Sequence, residues 1–88
     1  MSEQVNHPAH YNQGGIECID AIEAALGSSG FIGFLRGQVI KYNWRIGLKG
    51  SATEDSKKAA WYQARLTLTL HRNEYGTDPV DASGQGSV

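Results

Sequence analysis

The segment at residues 31–49, FIGFLRGQVIKYNWRIGLK, constrains the fold most, because its apolar and charged residues separate onto different faces of one helix. Its apolar side chains recur at helical spacing: Ile32, Leu35, Val39, Tyr42 and Ile46. A stripe of this kind must be buried against another element. The segment therefore predicts a central helix with one face in the core.

Four-residue steps through the same segment give a second row, which consists of Gly33, Gly37, Lys41, Arg45 and Lys49. The two glycines permit another backbone or a ligand to approach closely, and three cations follow them. One interpretation is a binding site for an anion. The other is a solvated helix end, since the helix dipole favours cations near a C-terminus. The segment alone leaves both interpretations open.

Two more helices are predicted on either side of the central one. The first covers residues 16–26, and Gly27 ends it where a left-handed cap is expected, opening a GSSG turn. The third begins after Thr53, a good N-cap, and continues to about residue 73. Its predicted buried stripe is Ala59, Tyr62, Leu66 and Leu70.

Three helices with short connections and no alternating strand pattern predict an all-α fold, a small three-helix domain. We expect this helical domain to span residues 16–75, after an irregular N-terminal arm at 1–15 that ends in the pair Gly14-Gly15. Residues 76–88, rich in Gly, Ser and Asp, are expected to form a flexible tail. A helix-rich fold with a short N-terminal hairpin stays open as the alternative.

The size and charge of the chain limit the kinds of partner that it is expected to have. A chain of 88 residues buries only roughly 60 to 65% of its unfolded surface, and its two tryptophans and four tyrosines exceed what one small core needs. We therefore expect a homo-oligomer. The formal net charge of −1 argues against a general binder of long nucleic acid. Because no Lys or Arg precedes Arg36, the positive charge is local and favours a compact anion such as a nucleotide.

Cysteine usage and hydropathy indicate the compartment. The single cysteine, Cys18, excludes an internal disulfide. The sequence shows no signal peptide and no apolar run that approaches the length of a membrane-crossing helix. We therefore expect a cytoplasmic protein without a membrane partner.

The motif HPAHY, with His7, His10 and Tyr11, is the most distinctive short stretch. Two imidazoles three residues apart can coordinate one metal ion together or bind a phosphate, and a tyrosine can stack on a base. Alternatively, the histidines only hydrogen-bond the backbone of an arm that packs on the helices. Glu17 and Asp20, predicted to lie one helical turn apart, could hold a divalent cation through water, although such pairs are more often surface charge.

The central helix carries the other candidate ligand-binding residues. Arg45 can bind a phosphate with its forked guanidinium and Lys41 as a point charge. Alternatively, Tyr42 and Trp44 lie in core or subunit contacts, and the two cations pair with carboxylates. The carboxylates considered are Glu17, Asp20 and Asp55. The absence of a GxxxxGK[ST] loop excludes a conventional P-loop kinase.

Several ordered blocks carry a resemblance to a known family. They are residues 5–11 (VNHPAHY), 15–22 (GIECIDAI), 40–45 (IKYNWR) with Lys49, and 54–62 (EDSKKAAWY) with Leu66. Across about residues 5–70 the chain resembles the small phage proteins catalogued as SaV-like, which carry the label "protein of unknown nucleotide kinase". Ser56 departs from the family pattern, in which an apolar residue is usual at this position.

The resemblance extends to part of a larger phage kinase that phosphorylates deoxynucleoside monophosphates without a P-loop. It implies a phage-encoded nucleotide-binding protein of the host cell cytoplasm, with a site lined by the HPAHY motif and by Lys41, Arg45 and Lys49. Glu17 and Asp20 would hold Mg²⁺ if a phosphoryl group is transferred, and whether it is transferred stays open. The alternative is a small phage inhibitor of host defence, which binds a host protein or sequesters a nucleotide signal without catalysis.

Overall fold

The computed structural model describes residues 12–79, which form a short hairpin followed by two helices. The strands are β1 (Asn12–Gln13) and β2 (Ile16–Glu17), and the helices are α1 (Cys18–Trp44) and α2 (Ala52–Tyr75). Most of the predicted arm at 1–15, including the HPAHY motif, and most of the predicted tail at 76–88 lie outside the described residues.

The hairpin is the alternative that the sequence left open. β1 and β2 pair antiparallel, with Gln13 opposite Ile16, so only Gly14 and Gly15 connect them. Both glycines have positive φ, 60° and 81°, as the two central residues of a type I′ turn require. Strand β2 leads directly into α1, and Glu17 is the N-cap residue before Cys18.

The prediction of three separate helices is wrong. Residues 18–44 form one helix, which is kinked at Gly27, where φ is 75° and ψ is 173°. Residues 28–30, predicted to be a turn, are helical. The kink divides α1 into a first arm, residues 18–26, and a second arm, residues 28–44. Because Ile19 in the first arm packs against the same core as Phe31 in the second, the kink folds the two arms onto one core.

Replacement of Gly27 by alanine is expected to destabilise the fold by about 1–3 kcal/mol, because the backbone region that Gly27 occupies is essentially restricted to glycine. A Cβ at this position meets no atom within 4 Å, so the cost comes from the backbone alone. Urea unfolding followed by circular dichroism measures it. The control is Ser29→Ala at an exposed position of the helical second arm, which should be neutral or stabilising. Equal effects of the two substitutions would contradict the prediction.

The second arm of α1 ends earlier than the sequence predicted. Trp44 is its last residue, and the Arg45 N–H closes the end by donating to the Lys41 carbonyl at 3.1 Å. Gly47 and Gly50 then have φ of 81° and 63°, which turn the chain out of the helix. Lys49 therefore lies in the exposed loop, outside the helical row in which it was predicted.

Both ends of α2 are capped. The Ser51 side chain accepts a hydrogen bond from the Glu54 N–H at 3.1 Å, so Ser51, not the predicted Thr53, is the N-cap. At the other end Gly76 has φ 79°, and its N–H donates to the Arg72 carbonyl. The second arm of α1 runs antiparallel to α2, since Arg45 pairs with Asp55 beside the loop whereas Ser28 bonds Asn73 at the far end.

The core is small and lies between α1 and α2. Its buried apolar residues are Phe31, Leu35, Ala59 and Leu66. Two residues of the predicted stripes, Ile46 and Leu70, are each 39% exposed. Two polar residues, Asp55 and Thr69, are buried instead, and the Thr69 hydroxyl is satisfied by donating to the Arg65 carbonyl at 2.8 Å.

By length and apolar composition alone, α1 is able to cross a membrane, which corrects the expectation that no segment is long enough. The first arm, the kink at Gly27 and part of the second arm together supply this length. A core helix or a signal sequence meets the same criterion, so the finding assigns no membrane location.

Candidate ligand-binding site

Two tyrosines form the centre of the candidate site, one from each helix. The rings of Tyr42 on α1 and Tyr62 on α2 stack in parallel, with centroids 5.8 Å apart and an angle of 3° between the planes. Trp61 meets Tyr62 edge to face at 5.0 Å, and Phe34 does so at 6.3 Å. These contacts join the site to the core and hold the tyrosine rings in place.

Three cations surround the Tyr42 ring. The Lys41 ammonium lies 4.8 Å from the ring centroid, and the Arg45 guanidinium and the Lys58 ammonium each lie 5.4 Å from it. These distances are within the range of cation–π attraction, which partly offsets the repulsion between the cations. We call Lys41, Tyr42, Arg45 and Lys58 the Tyr42 cluster.

One buried carboxylate adjoins the Tyr42 cluster. Asp55 is 2% exposed, and its Oδ1 lies 3.2 Å from Arg45 Nε. Arg45 Nε has no hydrogen-bond partner, so its contact with Oδ1 is an ion pair that does not meet hydrogen-bond geometry. The other carboxylate oxygen, Asp55 Oδ2, has no hydrogen-bond partner either. Three positive charges therefore face one negative charge, and the cluster keeps a net positive charge.

Three cations outside the cluster, Lys57, Arg65 and Arg72, are paired with carboxylates, whereas Arg36 and Lys49 form no ion pair within residues 12–79. Arg65 Nη2 donates to Asp20 at 2.7 Å and to Glu23 at 2.8 Å, and Lys57 lies 4.0 Å from Glu54. Partial burial lowers the pKa of Arg65, but the two carboxylates outweigh this effect and the pKa is raised above its ordinary value. By contrast, within residues 12–79 no carboxylate forms an ion pair with Lys41 or Lys58.

The structure brings together part of the predicted site. Lys41 and Arg45 both lie beside the Tyr42 ring, and Arg45 pairs with Asp55, one of the three carboxylates proposed as its partner. Lys49 lies in the loop after α1. Three predicted site residues belong to the N-terminal segment before the hairpin and lie outside the described residues: His7, His10 and Tyr11.

The predicted magnesium pair does not share a helical face. Glu17 belongs to β2, whereas Asp20 lies in the first turn of α1 and is bound to Arg65. In the part of the chain that the structure describes, no group of three or more His, Cys, Asp or Glu residues is suited to a metal ion. The Mg²⁺ site therefore stays a prediction without a complete ligand set.

Sequence reasoning missed Lys58 and Tyr62 as site residues. Their spacing of four residues places both on one face of α2, next to the buried Asp55, and this spacing was the available signal. The register between two helices cannot be read from either helix alone, so the stacking of Tyr62 on Tyr42 required the structure.

Comparison with known proteins gives a family but no fold relative. The chain is 34% identical over 67 residues to the Gene 1.7 protein of Enterobacteria phage T3, a match that covers 72% of this chain and 41% of the phage protein. The chain thus spans about two fifths of the length of that relative. No solved structure matches the chain.

A family model described as a protein of unknown function, DUF3310, matches residues 5–64. Neither this description nor the name of the phage protein mentions a nucleotide or a phosphoryl transfer. The match covers most of the hairpin and helices, including the Tyr42 cluster. The chain belongs to the DUF3310 family, which is related to a bacteriophage protein.

Proposed function

We propose that this phage protein binds a phosphorylated nucleoside at the Tyr42 cluster. The observation that carries the proposal is the convergence of three cations on one tyrosine ring, two of them without an ion pair in residues 12–79. Holding like charges together costs free energy, and a bound anion would remove that cost.

The chemistry of the cluster favours a phosphate group attached to a ring. Lys41 and Lys58 offer ammonium groups as point charges, while Arg45 offers a forked guanidinium. Tyr42 and Trp61 are half-buried aromatic side chains beside these cations, and aromatic rings stack on bases without regard to their identity. A nucleotide combines both features in one small ligand.

The described groups support binding more directly than catalysis. Within residues 12–79 the single acid that pairs with the cluster, Asp55, is buried and bound to Arg45, so it is poorly placed to accept a proton from a substrate. Transfer of a phosphoryl group would need further acid–base groups, and the histidines of the HPAHY motif, His7 and His10, are the predicted source. Capture of a nucleotide signal without turnover, as in an inhibitor of host defence, needs only the binding site.

The experiment is isothermal titration of the full chain with nucleosides and their mono-, di- and triphosphates, cyclic dinucleotides and inorganic phosphate, with and without Mg²⁺. We expect at least tenfold tighter binding of a phosphorylated nucleoside than of the nucleoside or of phosphate alone. A ligand present at a hundred times its Kd should also stabilise the fold by about 2.7 kcal/mol.

The variant Lys41→Ala/Lys58→Ala should lose at least tenfold in affinity, since charge-assisted contacts contribute about 1.5–3 kcal/mol each. The control is Lys57→Ala, which removes a neighbouring cation that is paired with Glu54. Binding that is equally strong in the double variant and in the control would refute the proposed site. Product formation with a phosphate donor would identify a kinase, and stoichiometric binding without product would identify capture.

A further inference from the structure

On the side opposite the core, the second arm of α1 has a face that no other part of residues 12–79 covers. Gly33, Gly37, Ile40 and Trp44 follow one another at steps of four, three and four residues, the spacing of a helix packing seam. Ile40 is 61% exposed and Trp44 is 78% exposed. With Arg36, which lies between them on the helix surface, we call these residues the outer face.

The outer face contains both a protrusion and a matching depression. Gly33, Arg36, Gly37 and Ile40 surround a surface position in which a Cβ built on either glycine meets no atom within 4 Å. The Trp44 side chain projects from the same face, about 11 Å further along the axis at 1.5 Å per residue. In helix packing, a large side chain of one helix fits into a depression of this kind on its neighbour.

We propose that the outer face packs antiparallel against the outer face of a second copy, about a two-fold axis close to Ile40. This symmetry places each Trp44 over the glycines of the other copy, so that the same surface supplies both halves of an isologous interface. The inference concerns the side of α1 away from the Tyr42 cluster and does not depend on ligand binding.

Avoidance of like-charge repulsion selects the antiparallel orientation. The outer face carries one cation, Arg36, and the second arm of α1 contains no acidic residue. A parallel pair would bring Arg36 next to Arg36 of the second copy. In the antiparallel pair Arg36 lies opposite the exposed indole of the second copy's Trp44, where a cation–π contact replaces the repulsion.

The balance of buried and exposed apolar residues favours a second copy as the occupant. Among the described residues, four apolar residues are buried, whereas eight large hydrophobic residues are at least 39% exposed, and the two of these on the outer face, Ile40 and Trp44, are 61% and 78% exposed. A chain with so small a core gains stability by covering such a surface. Burial of this face in a lipid bilayer would instead take the charged Arg36 into an apolar medium.

The test is the mass of the full chain in solution, measured by light scattering during gel filtration over a range of concentrations. We expect about 19 kDa, twice the chain mass of 9.6 kDa. Gly37→Leu fills the depression and Trp44→Ala removes the protrusion, and each should raise the dimer dissociation constant at least tenfold. Leucine is a better helix former than glycine, so Gly37→Leu keeps the helix.

The control variant is Ala64→Leu, which adds the same side chain to the exposed face of α2 and should leave the dimer intact. Ile40→Cys in a Cys18→Ser background should form a disulfide-linked dimer on oxidation, because the proposed axis brings the two copies of this position together. Circular dichroism verifies the fold of each variant.

A monomer at all concentrations, or a dimer unaffected by both Gly37→Leu and Trp44→Ala, would overturn the proposal. Cosedimentation of a monomeric chain with phosphatidylcholine vesicles would also overturn it and would assign the outer face to a membrane.

Discussion

Replacement of Phe31 by alanine is expected to lower the free energy of unfolding by about 3–5 kcal/mol. Phe31 is completely buried at the centre of the core, where it packs with Leu35 and Leu66. Its ring stacks on Phe34 with centroids 6.1 Å apart, and the Arg65 guanidinium lies 5.5 Å from its centroid. Truncation removes these contacts and leaves a cavity that the two helices cannot close without moving.

The effect should be large relative to the whole stability of the domain, since a chain of this length is stabilised by only about 4–13 kcal/mol. Urea unfolding at one fixed protein concentration measures it, because association would make the midpoint depend on concentration. The control is Tyr75→Ala at the end of α2, where the side chain is 68% exposed and the loss should stay below about 1 kcal/mol. Similar losses in the two variants would show that Phe31 is not the centre of the core.

The sequence predicted the helical character of the chain because the signals involved are local. The apolar spacing of Leu35, Ala59 and Leu66 identified core positions, and all three are buried. A break at Gly27 was also predicted, because glycine readily adopts a positive φ, and the residue does so in the structure. Sequence alone could not distinguish a kink from a helix end, because that outcome depends on how the two arms pack on the core.

The errors at helix ends have the same physical origin. Ser51 and Thr53 are both good N-caps two residues apart, and the choice depends on where the preceding loop releases the chain. Lys49 would belong to the predicted helical row only if the helix continued past Gly47. The positive φ of Gly47 is incompatible with such a helix. Periodicity reports which residues would share a face if the helix continued, but it does not report that it continues.

Half of the Tyr42 cluster could be predicted from the sequence. Lys41 and Arg45 lie one turn apart on a single helix, so their proximity is a local property. Lys58 joins them only through the packing of α2 on α1, and the structure was needed to select Asp55 from the three carboxylates proposed as partners of Arg45 and to show that it is buried. Contacts of this kind depend on tertiary register.

The pair of Arg45 and Asp55 gives the second large expected effect. Replacement of Arg45 by methionine should cost about 3 kcal/mol, because the Asp55 carboxylate is 2% exposed and would lose its cation. Asp55 Oδ2 already has no hydrogen-bond partner, so no second donor in residues 12–79 compensates for the loss. The midpoint of urea unfolding should fall with an unchanged slope.

The double variant Arg45→Met/Asp55→Leu should recover most of the loss, since it removes the buried charge together with its partner. Asp55→Leu alone should cost less than Arg45→Met, because the Arg45 side chain is 32% exposed and can turn towards water. Losses that simply add in the double variant would mean that the two residues do not interact. A strong coupling would show that Arg45 and Asp55 stabilise the fold as a pair, and this pair joins α1 to α2 beside the Tyr42 ring.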